Sequence, residues 1–237
     1  GLAKSGDDLF FGTGPNVHCL VQATYLGSTG SSETGSWVCE GEDSDFRNPG
    51  SNPTGSPATL PAYLGDWRPP DLYVYRQAEA DLVPLNGELD AAATQRRNTT
   101  LGIRSAGTID GRIYFAGPGF TAGGSVLNVF VFDDDGTFVG SESIPGYANI
   151  RKWVEVNGEL YTGVRKTGAS GNLGQVLRLT GSSAADPFQF EIVAEIPSEA
   201  AELAEHEGRL YVSTWPTPAG TAGLFMSPAF GGDGKLT

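Results

Sequence analysis

Four short stretches of the chain share one pattern of apolar and polar positions. "GDDLFFGTGP" from Gly6, "DGRIYFAGPG" from Asp110, "NGELYTGVRK" from Asn157 and "EGRLYVSTWP" from Glu207 each place a polar turn before an aliphatic-aromatic run. With Leu9, Ile113, Leu160 and Leu210 in register the intervals are 104, 47 and 50 residues, and "LAKSGDDLFFGTGP" lies over "LAEHEGRLYVSTWP" without a gap. A short apolar-alternating run precedes each turn, so each copy reads as a hairpin. Asp110-Gly111 and Asn157-Gly158 suit such a turn because both central residues must take positive φ, and Glu207-Gly208 holds the same place. Third strands are predicted at Ser125–Phe132, Gly174–Gly181 and Ala222–Pro228. Fourth strands follow at Gly136–Gly146 and Phe190–Ser198, and both contain Ile-Pro near their ends, as an outer strand tolerates.

A four-stranded antiparallel unit recurring every 47 to 50 residues resembles the blade of a β-propeller, kelch-like or WD40-like in general form, with no subfamily signature matched. The resemblance implies an all-β fold of about four visible blades over residues 1–237. The fourth blade is still entering its last strand at Thr237, and an open ring leaves strand edges that proteins avoid. These residues are therefore expected to belong to a larger ring, completed by further sequence, a companion chain or a neighbouring subunit. The 104-residue interval is expected to hold one blade rather than two. Its third and fourth strands are "DLYVYRQ" (Asp71–Gln77) and "ADLVPLNG" (Ala80–Gly87), split from the hairpin by an insert over 16–70. A second extension, Glu88 to Ile103, leads to the next blade.

Composition agrees with short strands and tight turns: 34 glycines and 10% aromatic residues in 237. The net charge of −13 makes nucleic acid and acidic membrane surfaces poor partners. No apolar run approaches the roughly 18 residues a membrane span needs, and no charged-then-apolar leader opens the sequence, so any secretion signal is taken to be removed or never present. The Gly/Ser/Pro-rich insert carries the two cysteines, Cys19 and Cys39. A bridge between them would close one loop, worth roughly 3 kcal/mol, and would place the protein outside the cell, at its surface or in the periplasm; two unpaired thiols are the other reading. Asn98-Thr99-Thr100 is an N-glycosylation sequon.

In an up-and-down propeller one face collects the long connections. Here that face receives the insert, the 88–103 extension and loops at Gly117–Gly124, Val164–Gly174 and Trp215–Gly223, and long loops on a rigid scaffold are where function gathers. Arg104 and Arg151, 47 apart, both begin an innermost strand near the channel mouth, with Arg165 on the same face. Converging guanidiniums suit a carboxylate, sulfate or phosphate, or else pair with nearby Glu199 and Glu202. Trp215 ends a central strand there and could face a sugar or a protein; Trp37 and Trp67 fall in the insert, and Trp153 reads as packing. Glu40, Glu42, Asp43 and Asp45 are weak Ca²⁺ candidates lacking the EF-hand pattern; no other metal and no cofactor is expected. His18 and His206 are the only histidines, and no nucleophile-elbow, zincin or phosphate-loop motif occurs. The expectation is a non-enzymatic module binding a protein or glycan. The alternative is a hydrolase or lyase acting on an anionic or carbohydrate substrate at the mouth.

Overall fold

The computed structural model describes residues 1–14, 69–168, 173–180, 186–216 and 221–231. Fifteen strands there form three four-stranded sheets and one three-stranded sheet, each antiparallel and each in sequence order. The first holds β1 (Leu2–Ser5), β2 (Asp8–Gly12), β3 (Leu72–Arg76) and β4 (Asp81–Pro84). The second holds β5 (Ser105–Ile109), β6 (Arg112–Thr121), β7 (Gly124–Asp133) and β8 (Phe138–Pro145). β9 (Tyr147–Val156), β10 (Glu159–Lys166), β11 (Gly174–Leu179) and β12 (Phe190–Ile196) make the third; β13 (Ala200–His206), β14 (Arg209–Thr214) and β15 (Leu224–Met226) make the fourth. These sheets are β-propeller blades.

The repeated turns behave as their chemistry requires. Asp110, Asn157 and Glu207 take φ of 51°, 53° and 50°, each followed by a glycine at positive φ, the geometry of a two-residue hairpin turn. First strands of successive sheets lie beside one another, β1 by β5, β5 by β9 and β9 by β13. Between sheets the apolar faces close into three cores: Phe10, Leu72 and Val74 with Phe115 and Phe132; Tyr114, Val129 and Val131 with Trp153 and Leu177; Tyr161 and Val176 with Leu203 and Leu210. Gly163 is small for a reason, since a Cβ there would lie 2.5 Å from both Ala200 and Leu203 of the next blade. Trp153 is core, stacked on Phe190.

β2 pairs directly with β3, Phe10 opposite Val74, so the chain between them leaves and returns within one sheet. Its ends meet where Thr13 N–H donates to the Asp71 carbonyl at 2.9 Å and Asp71 N–H to the Thr13 hydroxyl at 2.8 Å. Cys19, Cys39, Trp37, Trp67, His18 and the acidic group Glu40, Glu42, Asp43 and Asp45 lie outside the described residues.

The link between the first two blades holds an element of its own, and one expectation needs correction. The 88–103 extension contains a helix, α1 (Ala91–Arg97), after a 3₁₀ turn at Asn86–Glu88. Asp90 caps it by accepting from Ala93 N–H at 2.7 Å, and Arg96 and Arg97 fall at its C-terminal end, where cations suit the helix dipole. The expected loop at 117–124 is instead mostly strand. Gly117, Pro118 and Gly119 pair with Asn128, Leu127 and Val126, while residues 99–102 cross over them: Leu101 N–H donates to Pro118 O at 2.8 Å, and Thr100 bridges Gly119. The glycines mark a close backbone approach rather than a loop.

Candidate binding site at the channel mouth

A bulge in the inner strands of the third and fourth sheets sets the site. In β9 the pairing jumps between Ile150 opposite Val164 and Trp153 opposite Thr162, and β13 has the same slip at Ala201, between Ala200 and Glu202. Bulges re-aim side chains, and the residue carried on the β9 bulge is Arg151. It lies inside β9 rather than at the strand's start, whereas Arg104 immediately precedes β5, its N–H donating to Ala116 O at 3.0 Å.

The arginines named from sequence do converge, around a buried carboxylate. Glu199, 7% exposed, accepts a short hydrogen bond from Asn149 Nδ2. Arg151 Nη2 reaches Glu199 Oε1 at 3.4 Å, and Arg165 Nη1 stands 3.9 Å from Oε2. Asn149, itself buried, takes Arg104 Nη1 onto its Oδ1 at 2.9 Å. The Arg151 guanidinium lies 5.2 Å from the centre of the Trp215 ring, and Trp215 N–H donates to Glu199 O at 2.9 Å. Trp215 remains 48% exposed. Glu202, the other carboxylate expected near the arginines, is instead 3.4 Å from Lys152 on the surface.

Beside the cluster, Tyr147 Oη donates to Gln175 Oε1 at 2.9 Å, and Gln175 Nε2 to Glu195 at 2.7 Å. Burial, reinforced by Glu195, raises the Tyr147 phenol above its ordinary range. This row, with Asn149, carries no motif, and only the fold assembles it.

Asn98 is 7% exposed and Thr100 fully buried at the end of α1, so the sequon's acceptor is covered in the folded chain. His206 is exposed on the turn side, against Tyr211 and near Glu207. Among the described residues no three His, Cys, Asp or Glu side chains gather as metal ligands. Among them, too, no helix is long and apolar enough to cross a membrane.

No protein-family model matches the chain, and no curated protein matches its sequence. Solved structures do match. A Bombyx mori GH32 β-fructofuranosidase in complex with sucrose is 14% identical with a TM-score of 0.38, over 74% of this chain and 43% of that one. The AtxE2 isopeptidase is 12% identical with a TM-score of 0.35, over 99% and 32%. A Pyrococcus horikoshii acylaminoacyl peptidase is 10% identical with a TM-score of 0.35, over 66% and 33%. The chain spans between a third and just over two-fifths of the length of these proteins. At such values nothing of their sites or activities transfers to this chain.

Proposed function

We propose that this chain is a binding module of an exported propeller, in the periplasm, at the cell surface or outside the cell. It recognises an anionic group of a protein or glycan partner at the channel mouth. The observation that carries the reading is Arg151: a bulge aims it, Glu199 holds one edge, and its guanidinium lies over a half-exposed Trp215. A guanidinium so desolvated on one side offers its remaining edge to a carboxylate, while the exposed part of the indole suits a sugar face or an apolar side chain. Glycoside hydrolysis takes two carboxylates; the described cluster supplies Glu199, which is already engaged, so nothing in it favours the catalytic alternative. Tryptophan fluorescence titrated with oligogalacturonate and with an acidic peptide tests the reading. Binding by either, weakened about tenfold by Arg151→Gln, supports it, since a charge-assisted hydrogen bond is worth roughly 1.5–3 kcal/mol. Equal binding by the variant, or by a neutral galactose oligomer, would sink it.

The module is also proposed to sit in a larger ring. Strand alternation puts Ala3, Phe10, Leu72, Val74 and Val83 against the second blade. The opposite face of the first sheet then carries Leu2, Leu9, Phe11, Tyr73, Tyr75 and Leu82, of which Leu2 is 64% and Leu82 50% exposed. The three faces between successive described sheets are filled by the neighbouring sheet, and a further blade is the occupant that fits here. In the fourth sheet Leu224 and Met226 are likewise 71% and 57% exposed. A native mass of one 24.8 kDa chain, stable and monodisperse in isolation, would overturn this part.

A further inference from the structure

A second recess lies away from the mouth cluster, between α1 and the second blade. Ala92, Gln95, Arg96 and Thr99 of the helix side face Phe120, Thr121 and Ala122 at the β6–β7 tip, with Ser143 of β8 at the side. Its volume is about 300 Å³, roughly ten water molecules at about 30 Å³ each and at the small end of ligand pockets.

The layer beneath the recess is built and already satisfied. Asn128, fully buried in β7, donates to Thr100 Oγ1 at 2.9 Å and to Arg96 O at 3.2 Å, and accepts from Ser143 Oγ at 2.6 Å. Thr99 Oγ1 donates to Arg96 O at 2.9 Å. Thr121 Oγ1 is taken up in its own turn, by Gly123 N–H at 3.2 Å and Gly124 O at 3.4 Å. A Cβ on Gly119 would collide with Asn128 and with Thr99 O, so the helix end sits close on the sheet. The hydroxyls lining the recess are thus engaged with the protein, which leaves little for a ligand rich in hydroxyl groups.

Arg96 is different. Its Nη1 donates to Ser141 Oγ at 3.0 Å, and among the described residues it forms no ion pair, in a chain of net charge −13. Gln95 beside it is exposed. The remaining lining is alkyl and aromatic: Ala92, Ala122 and Phe120. We propose that this recess binds a small amphipathic monocarboxylate. Its head pairs with the free edge of Arg96, and its short aliphatic or aryl tail lies against Phe120 and the two alanines. Charge complementarity selects the head, and the lack of unused hydroxyl partners excludes a polyol in the tail's place.

The test is a calorimetric and NMR titration of the whole chain with hexanoate and, as its neutral counterpart, hexanamide. Hexanoate should bind, hexanamide about tenfold more weakly or worse. Arg96→Gln, which retains a donor for Ser141, should weaken hexanoate by a similar factor, and Ala92→Phe should abolish binding by filling the recess. Arg151→Gln at the mouth should leave hexanoate untouched, which separates this site from the one proposed above. Equal binding of acid and amide, full affinity in Arg96→Gln, or no hexanoate binding by a chain with an unchanged melting curve would each overturn the proposal.

Discussion

Asn128→Ala is expected to destabilise the protein by about 2–3 kcal/mol. The side chain is fully buried, and its amide faces three acceptors: Thr100 Oγ1 at 2.9 Å, Arg96 O at 3.2 Å and Thr99 Oγ1 at 3.3 Å. Two protons can serve two of these well, and the carbonyl receives Ser143, so three hydrogen bonds are at stake, each worth roughly 0.5–1.5 kcal/mol net. The loss is tempered because both threonine hydroxyls still donate to Arg96 O, at 2.9 and 2.8 Å, and half-buried Ser143 can turn to water. Asn128→Asp has the same shape and the opposite chemistry. It presents an acceptor-only carboxylate to three oxygens in a fully buried position, and should cost more than alanine at neutral pH. Burial is expected to raise its carboxyl above the ordinary carboxylate range, so the Asp variant alone should regain stability as the pH is lowered toward that range. Urea melts at two pH values measure both effects; a loss of 2–3 kcal/mol corresponds to a melting-temperature drop of about 5–10 °C in a chain of this size. An Asp variant no less stable than alanine at pH 7 would refute the assignment of donor and acceptor at this site.

Other outcomes follow from neighbouring contacts. Gly163→Ala should destabilise by roughly 1–3 kcal/mol through overpacking against Ala200 and Leu203, and thermal melts with unchanged strand circular dichroism would show it. Arg76 Nη1 bonds Asp8 at 2.6 Å and Asp134 O at 2.9 Å, its Nη2 meets Asp135 O, and its guanidinium lies over Phe10. Asp8 is held below the ordinary carboxylate range by Arg76 and by Gln77 N–H. The stability it contributes is therefore complete above that range and lost as pH falls through its lowered value; Arg76→Met should erase this part of the acid-unfolding profile. Burial pushes the Tyr114 phenol up to about 12. Absorbance at about 295 nm should find it protonated past the ordinary value near 10, with stability intact below about pH 10 and falling as the pH climbs toward 12. Thiol labelling of the unreduced chain should leave Cys19 and Cys39 unmodified, and rapid labelling of both would remove the case for export.

What was legible in the sequence is what repeats. Two-residue turns such as Asp110-Gly111 and Asn157-Gly158 set the hairpins. An aliphatic-aromatic run recurring at 47 and 50 residues over its last three copies says that blades stack, and "DLYVYRQ" could be read as the third strand of a blade interrupted by a long excursion. What escaped reading was local contact across the grain of the repeat. Glycines in "AGPGFTAGG" suggest a loop by composition, yet two of them are strand residues made small by a segment passing overhead. Helix α1 had a signal, Asp90 ahead of three alanines with two arginines at the end, but it falls in a link that the repeat leaves out.

The mouth shows the same division more sharply. Arg104 and Arg151 could be aligned because both occupy one repeat position, but their partners break the repeat. The place of Arg151 is taken by Ala201 in the next blade, and Glu199, two residues before it, supplies the charge that Arg151 meets across the blade boundary. The third and fourth blades share the backbone bulge and differ in the side chain carried on it. Function in this fold therefore has to be sought where aligned positions differ: at Arg151 against Ala201 in the inner strands, and at Trp215 against Arg165 where the central strands end.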